Sequence, residues 1–215
     1  MSELTKASIA AKLKGIERYN PKNIDVLVEY LNEQCASNQY DLEANLALLK
    51  LYQFNPDQFS PSIVEKVLLK AVTNLPHPDF ILCKCLLDPS KLESGDIQKI
   101  NEIFKTLELC QFEEFWTNLD SNKDLIQDIE GFEDSVRKFV SHVVGITYQH
   151  IATSLLRKLL GCTSDEQFTT WLNKNNWKLE GEYVLVEEQE DKIKTINITE
   201  KIELEHVASV LATYR

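Results

Sequence analysis

Proline placement constrains this chain more than any other feature. All six prolines stand at or before position 89. Proline has no backbone N–H and its ring collides with the preceding turn, so it tolerates the first position of a helix and breaks a helix interior. Asn20-Pro21 and Ser60-Pro61 each place a residue that can cap a helix directly before a proline, which marks two helix starts. Pro76-His77-Pro78 forces a break, because each proline also pushes its predecessor out of helical geometry.

Between these marks, apolar residues recur at spacings of three and four. The helix opened at Asn20-Pro21 has a stripe of Ile24, Leu27, Val28, Leu31 and Cys35. Asp41 caps the next segment, where Leu42, Leu46, Leu49 and Tyr52 face one way. Leu48, Leu51 and Phe54 widen that stripe, so this helix is expected to be central and covered on most sides. Val64, Leu68, Ala71 and Leu75 follow Ser60-Pro61, and further helical segments are expected at 80–87, 97–109 and 112–119. About seven short helices joined by polar turns, without a strand pattern, read as stacked helical hairpins. No fixed sequence period accompanies them.

The pattern changes from Gly131. Phe132, Val136, Phe139, Val140 and Val143 share a helical face, and Gly145-Ile146-Thr147-Tyr148 has the composition of a short strand. Ile151, Leu155, Leu156 and Leu159 predict a helix stopped by Gly161. Thr163-Ser164-Asp165-Glu166 fits a capping box, and the helix it opens turns Phe168, Trp171 and Leu172 inward. A hairpin is expected around Glu180-Gly181, and residues 195–199 give a further strand. Helix, strand, helix, helix and hairpin is the order of a winged helix. Leu204, Val207, Ala208 and Leu211 then return to helical spacing.

Charge decides between the functions such a fold serves. The chain carries 23 Lys and Arg against 34 Asp and Glu, a net of −11. A phosphate backbone or an anionic membrane is bound chiefly through Lys and Arg, so this balance argues against both. In a helix-turn-helix protein the second helix puts its N-terminal residues at the bases. Here that helix begins with Asp165 and Glu166, and residues 131–215 have 10 basic against 13 acidic side chains. Acids in a first turn also have an ordinary role, since they complement the helix dipole.

Catalytic and metal-binding patterns are missing from the sequence. Cys83 and Cys85 point about 200° apart on a helix, so they cannot share a metal and read as free thiols. His142 and His150 are eight apart rather than four and are expected at the core or its rim. No glycine cluster forms a phosphate cradle and no Gly-x-Ser-x-Gly elbow is present. The chain is therefore expected not to be an enzyme and to need no cofactor or metal. No stretch approaches the ~20 apolar residues of a membrane helix. The start, Met-Ser-Glu-Leu-Thr-Lys, has no signal-peptide pattern, so the five scattered cysteines suggest reduced thiols in the cytoplasm or nucleus.

Several long strings carry a resemblance. Glu17-Arg18-Tyr19-Asn20-Pro21, residues 40–46, 48–56 and 75–77, residues 131–139 continuing to Val144-Gly145, and residues 197–202 resemble the PCI-family scaffold subunits of eukaryotic translation initiation factor 3. The resemblance runs in order through nearly the whole chain. It implies a mainly α protein: a HEAT-like helical domain over 1–128, a winged helix over 129–199 and a C-terminal helix over 200–215. It also implies a non-catalytic scaffold in the initiation of protein synthesis. Its partners would be the other subunits of the factor, subunit L above all, and the small ribosomal subunit through the complex. In the PCI pattern winged helices pair and the helices after them join a shared bundle. Leu204, Val207, Val210 and Leu211 are then expected to form a partner-facing stripe; the alternative is packing onto the chain's own winged helix. A proteasome-lid or COP9-signalosome subunit has the same architecture, and a nucleic-acid-binding winged helix is the remaining alternative.

Overall fold

The computed structural model describes residues 6–93 and 95–186, together with 207, 211 and 212. Eleven α-helices and one three-stranded sheet lie among them. The helices before residue 131 are α1 (Lys6–Lys12), α2 (Asn23–Ser37), α3 (Leu42–Phe54), α4 (Pro61–Val72), α5 (Asp79–Cys85), α6 (Pro89–Leu92), α7 (Gly95–Glu108) and α8 (Phe112–Ser121). Short 3-10 turns at Gly15–Tyr19, Pro56–Gln58 and Lys123–Ile126 link some of them.

The expected caps account for most of these boundaries. The Asp41 carboxylate accepts from the N–H groups of Glu43 and Ala44, which starts α3 at Leu42. Pro61 occupies the first position of α4. At the other proline the helix begins later than expected. Asn20 Oδ1 accepts from the Lys22 N–H in a local turn, and α2 starts at Asn23. Phe54 also departs from expectation. It is exposed at the end of α3, edge-on to Tyr19 at 5.8 Å, because the chain leaves the core at Asn55.

The hub is α4, which packs against α2, α3, α5 and α7. Every residue from Val67 to Val72 is buried, including Lys70 at 0% exposure. The Lys70 ammonium has no hydrogen-bond partner among the described residues, and its burial lowers the amine's proton affinity. Polar groups between α2 and α3 are matched instead. Gln34 and Asn45 exchange amide hydrogen bonds of 3.2 and 3.3 Å, Gln34 Oε1 accepts from the Asp41 N–H, and the Tyr30 hydroxyl donates to Asp41. This network fixes the register of the two helices.

Burial of titratable groups gives a testable alkaline limb. Burial first, then the Asp41 charge, pushes the Tyr30 phenol up to about 12. The Cys83 thiol is pushed up to about 12 by burial and then by Asp79. Both groups stay protonated in the fold while the unfolded chain releases its protons from about pH 9 to 10, so stability falls as pH rises through that range. Lys70 acts with the opposite sign, since the unfolded chain binds its proton more readily, and stability gains from it as pH rises towards about 10.5. Urea midpoints are expected to fall above about pH 9, and Lys70→Met, which removes the opposing contribution, should steepen that fall.

The remaining elements are α9 (Phe132–Thr147), β1 (His150–Ala152), α10 (Thr153–Leu160), α11 (Asp165–Lys174), β2 (Lys178–Glu180) and β3 (Tyr183–Leu185). The sheet is antiparallel in the order β1-β3-β2, with Ile151 opposite Val184 and Leu179 opposite Val184 on the other side. The hairpin turns at Gly181, whose φ is +63°.

Two expectations fail here. Residues 145–147 are helical rather than a strand: the Tyr148 N–H still bonds to the Val144 carbonyl at 3.0 Å, and the Thr147 hydroxyl donates to Val143. Val136, Val140 and Val144 recur every four residues and are buried, so their packing outweighs the few tenths of a kcal/mol by which Ile and Thr disfavour a helix. The strand comes later, and it takes Ile151 out of the expected helix. Gly161 ends α10 as expected, at φ +60°. Residues 195–199 and most of 200–215 lie outside the described residues. The buried apolar side chains form one continuous cluster from Ile9 to Val186.

Candidate partner interface

The surface offered by α11 is built from its cap outward. The Ser164 hydroxyl accepts from the Gln167 N–H at 3.3 Å, so the box sits one residue later than the sequence suggested. Phe168, Trp171 and Leu172 are buried as expected, and Asp165 and Glu166 are exposed in the first turn. The nearby cations are already engaged. Arg157 pairs with Asp165 at 2.6 Å and lies 4.4 Å from the Phe168 ring, and Lys174 lies over Trp171 at 4.4 Å. A helix with this first turn repels phosphate and suits contact with protein.

A three-helix joint holds α10 to the helices before it. The Trp116 indole N–H of α8 donates to the Leu159 carbonyl of α10 at 2.9 Å. Arg137 of α9 is buried below the same ring, 5.0 Å from it. Its Nε donates to the Leu160 carbonyl at 3.1 Å, and its two terminal nitrogens reach Glu133 and Asp134 at 2.7 and 3.1 Å. A guanidinium thus meets the carbonyl end of α10, where the helix dipole is negative.

Of the four residues expected to face a partner, Val207 and Leu211 are described, both with helical backbone and 43% and 66% exposed. Leu204 and Val210 lie outside the described residues. A second apolar group escaped the sequence reading: Ile146 and Tyr148 at the end of α9, with Leu179 and Tyr183 on the hairpin, are all exposed. Leu179 alternates with Lys178 and Glu180 as a core residue would, yet β2 is an edge strand and leaves it uncovered. His142 and His150, expected at the core or its rim, are exposed, and in the case of His142 the reason is that α9 turns it away from its buried stripe. Cys83 is buried and Cys85 exposed, on opposite sides of α5. Among the described residues no group of three or more His, Cys, Asp or Glu is placed to hold a metal ion, and no helix is long and apolar enough to cross a membrane.

Comparison with known proteins places this architecture. Residues 58–197 match the model of the CSN8/PSMD8/EIF3K family. Eukaryotic translation initiation factor 3 subunit K of Homo sapiens is 50% identical over 214 residues, covering 99% of this chain and 98% of the relative. The subunit of the same name from Danio rerio is 48% identical over 212 residues, covering 98% and 97%. That from Culex quinquefasciatus is 48% identical over 204 residues, covering 95% and 92%. With more than half its length matched by the family model and half its residues shared with such relatives, the chain belongs to the CSN8/PSMD8/EIF3K family.

Proposed function

We propose that this chain is a non-catalytic scaffold subunit of eukaryotic translation initiation factor 3, acting in the cytoplasm by protein–protein association. One observation carries the reading: half-identity over essentially the whole length to proteins named as subunit K of that factor. Residues 1–128 serve as a HEAT-like helical domain, 129–199 as a winged helix and 200–215 as a terminal helix. The other subunits, subunit L foremost, are its direct partners, and it meets the small ribosomal subunit through the complex. The acidic first turn of α11 supports association with protein over nucleic acid.

The test is affinity purification of the tagged chain with identification of what accompanies it. Initiation-factor subunits are expected. Proteasome-lid or signalosome subunits in their place would favour the second reading that the family's breadth allows. Tight RNA binding by the isolated chain, with a steep salt dependence, would overturn both.

The terminal stripe of Leu204, Val207, Val210 and Leu211 is the proposed contact with subunit L, and the exposure of Val207 and Leu211 supports it. Leu211→Asp is expected to leave the thermal midpoint of the isolated chain unchanged while abolishing co-purification of subunit L. A molten isolated variant would assign the stripe to internal packing.

A further inference from the structure

Resting on that scaffold reading, we infer that the groove between α5, α6 and α7 docks a short acidic amphipathic helix belonging to another subunit of the complex. The groove holds about 810 Å³. Its walls are two helical stripes. Ile81, Lys84 and Cys85 stand at i, i+3 and i+4 on α5, and Asn101, Phe104, Lys105 and Glu108 at i, i+3, i+4 and i+7 on α7. Both helices pack on α4, and Phe80 of α5 stacks on Phe104 of α7 with ring centroids 3.8 Å apart, which braces the base. Leu87 and Leu92 close the α6 end.

The chemistry of the occupant follows from the lining. Ile81 is 43% exposed, so the mouth of the groove has apolar surface to bury. The groove runs along two turns of α7, about 11 Å, which is the length of a partner helix of seven or eight residues. That is the geometry in which an amphipathic helix lays an apolar face into a groove. Charge then selects its polar positions. Lys84 and Lys105 face the groove from opposite walls, and neither forms an ion pair among the described residues. In a chain with 34 acids and 23 basic side chains, two unmatched lysines flanking an apolar floor complement a carboxylate-bearing partner. Glu108 at the far end sets the polarity, placing the partner's acids near Lys84 and Lys105.

Cys85 on the groove wall supplies the readout, and Cys110, exposed after α7 and outside the groove, is the internal control. The thiol alkylation rates of both are compared in the isolated chain and in the purified multisubunit complex. The complex is also treated with a carbodiimide, which joins lysine amines directly to carboxylates. Cys85 is expected to react about tenfold more slowly in the complex, the factor for grooves open no more than a tenth of the time, with Cys110 unchanged. Lys84 or Lys105 is expected to cross-link to Asp or Glu of another subunit. Equal Cys85 rates overturn the proposal. Protection without a lysine–carboxylate cross-link, or cross-links only within this chain or to a second copy of it, does so as well. Failure of the chain to enter any complex would overturn this inference and the scaffold reading together, whereas equal rates in an intact complex overturn the groove alone.

Discussion

Gly161→Ala is expected to lower the thermal midpoint by about 6–12 °C, corresponding to ~3 kcal/mol in a chain of this size. Two costs combine. At φ +60° an alanine Cβ crowds the backbone, which costs about 1–2 kcal/mol. A Cβ there would also sit 2.5 Å from Trp116 Cδ2, well inside contact distance. The indole must move, and moving it sacrifices packing and the bond to the Leu159 carbonyl, which adds about 1–2 kcal/mol. Gly181 is the matched control: its φ is +63°, and a Cβ there meets nothing within 4 Å. Gly181→Ala should show the backbone cost alone, a shift of about 2–8 °C at ~1–2 kcal/mol. Differential scanning calorimetry of the two variants separates the terms. Equal shifts would mean that Trp116 yields freely.

Arg137→Met is the second large effect, at about 2–3 kcal/mol by urea unfolding. Methionine replaces the stem's packing but offers no donor to the Leu160 carbonyl at the end of α10. The bonds to Glu133 and Asp134 contribute less than their lengths suggest, because those carboxylates are 42% and 63% exposed and water takes the place of the guanidinium. Arg137→Lys should recover under half of the loss, since the one nitrogen of an ammonium cannot reach all three acceptors that the guanidinium meets with three separate nitrogens. Because Arg137 and Gly161 both bear on Trp116, the double variant with Gly161→Ala should lose less than the sum of the two. Strict additivity would show that the indole does not couple them.

Legibility in the sequence followed the range of the forces involved. Asp41, Pro61, Gly161 and the turn at Gly181 act on neighbouring residues, so their types were sufficient to place helix ends and the hairpin. Residues 145–147 were misread because their strand composition competes with a valine stripe whose burial depends on what packs against it. Lys70 reads as a surface lysine, and only the covering of α4 from four directions makes it a buried one. The joint of Trp116, Arg137 and Gly161 spans 45 residues of sequence and left no local pattern. Of the terminal stripe, spacing was visible, whereas the exposed group of Ile146, Tyr148, Leu179 and Tyr183 depended on which strand lay at the sheet's edge.

The same joint has an optical consequence. The chain has three tryptophans, and they fall at Trp116 in the joint and at Trp171 and Trp177 in the core beneath the hairpin. Indole emission therefore registers the seam and the last third of the described fold, and is blind to α1 through α7. Circular dichroism at the helix band is weighted towards those earlier helices. Without any label, the protein carries two spectroscopic channels, one weighted to the joint and the elements after it, the other to the helices before it.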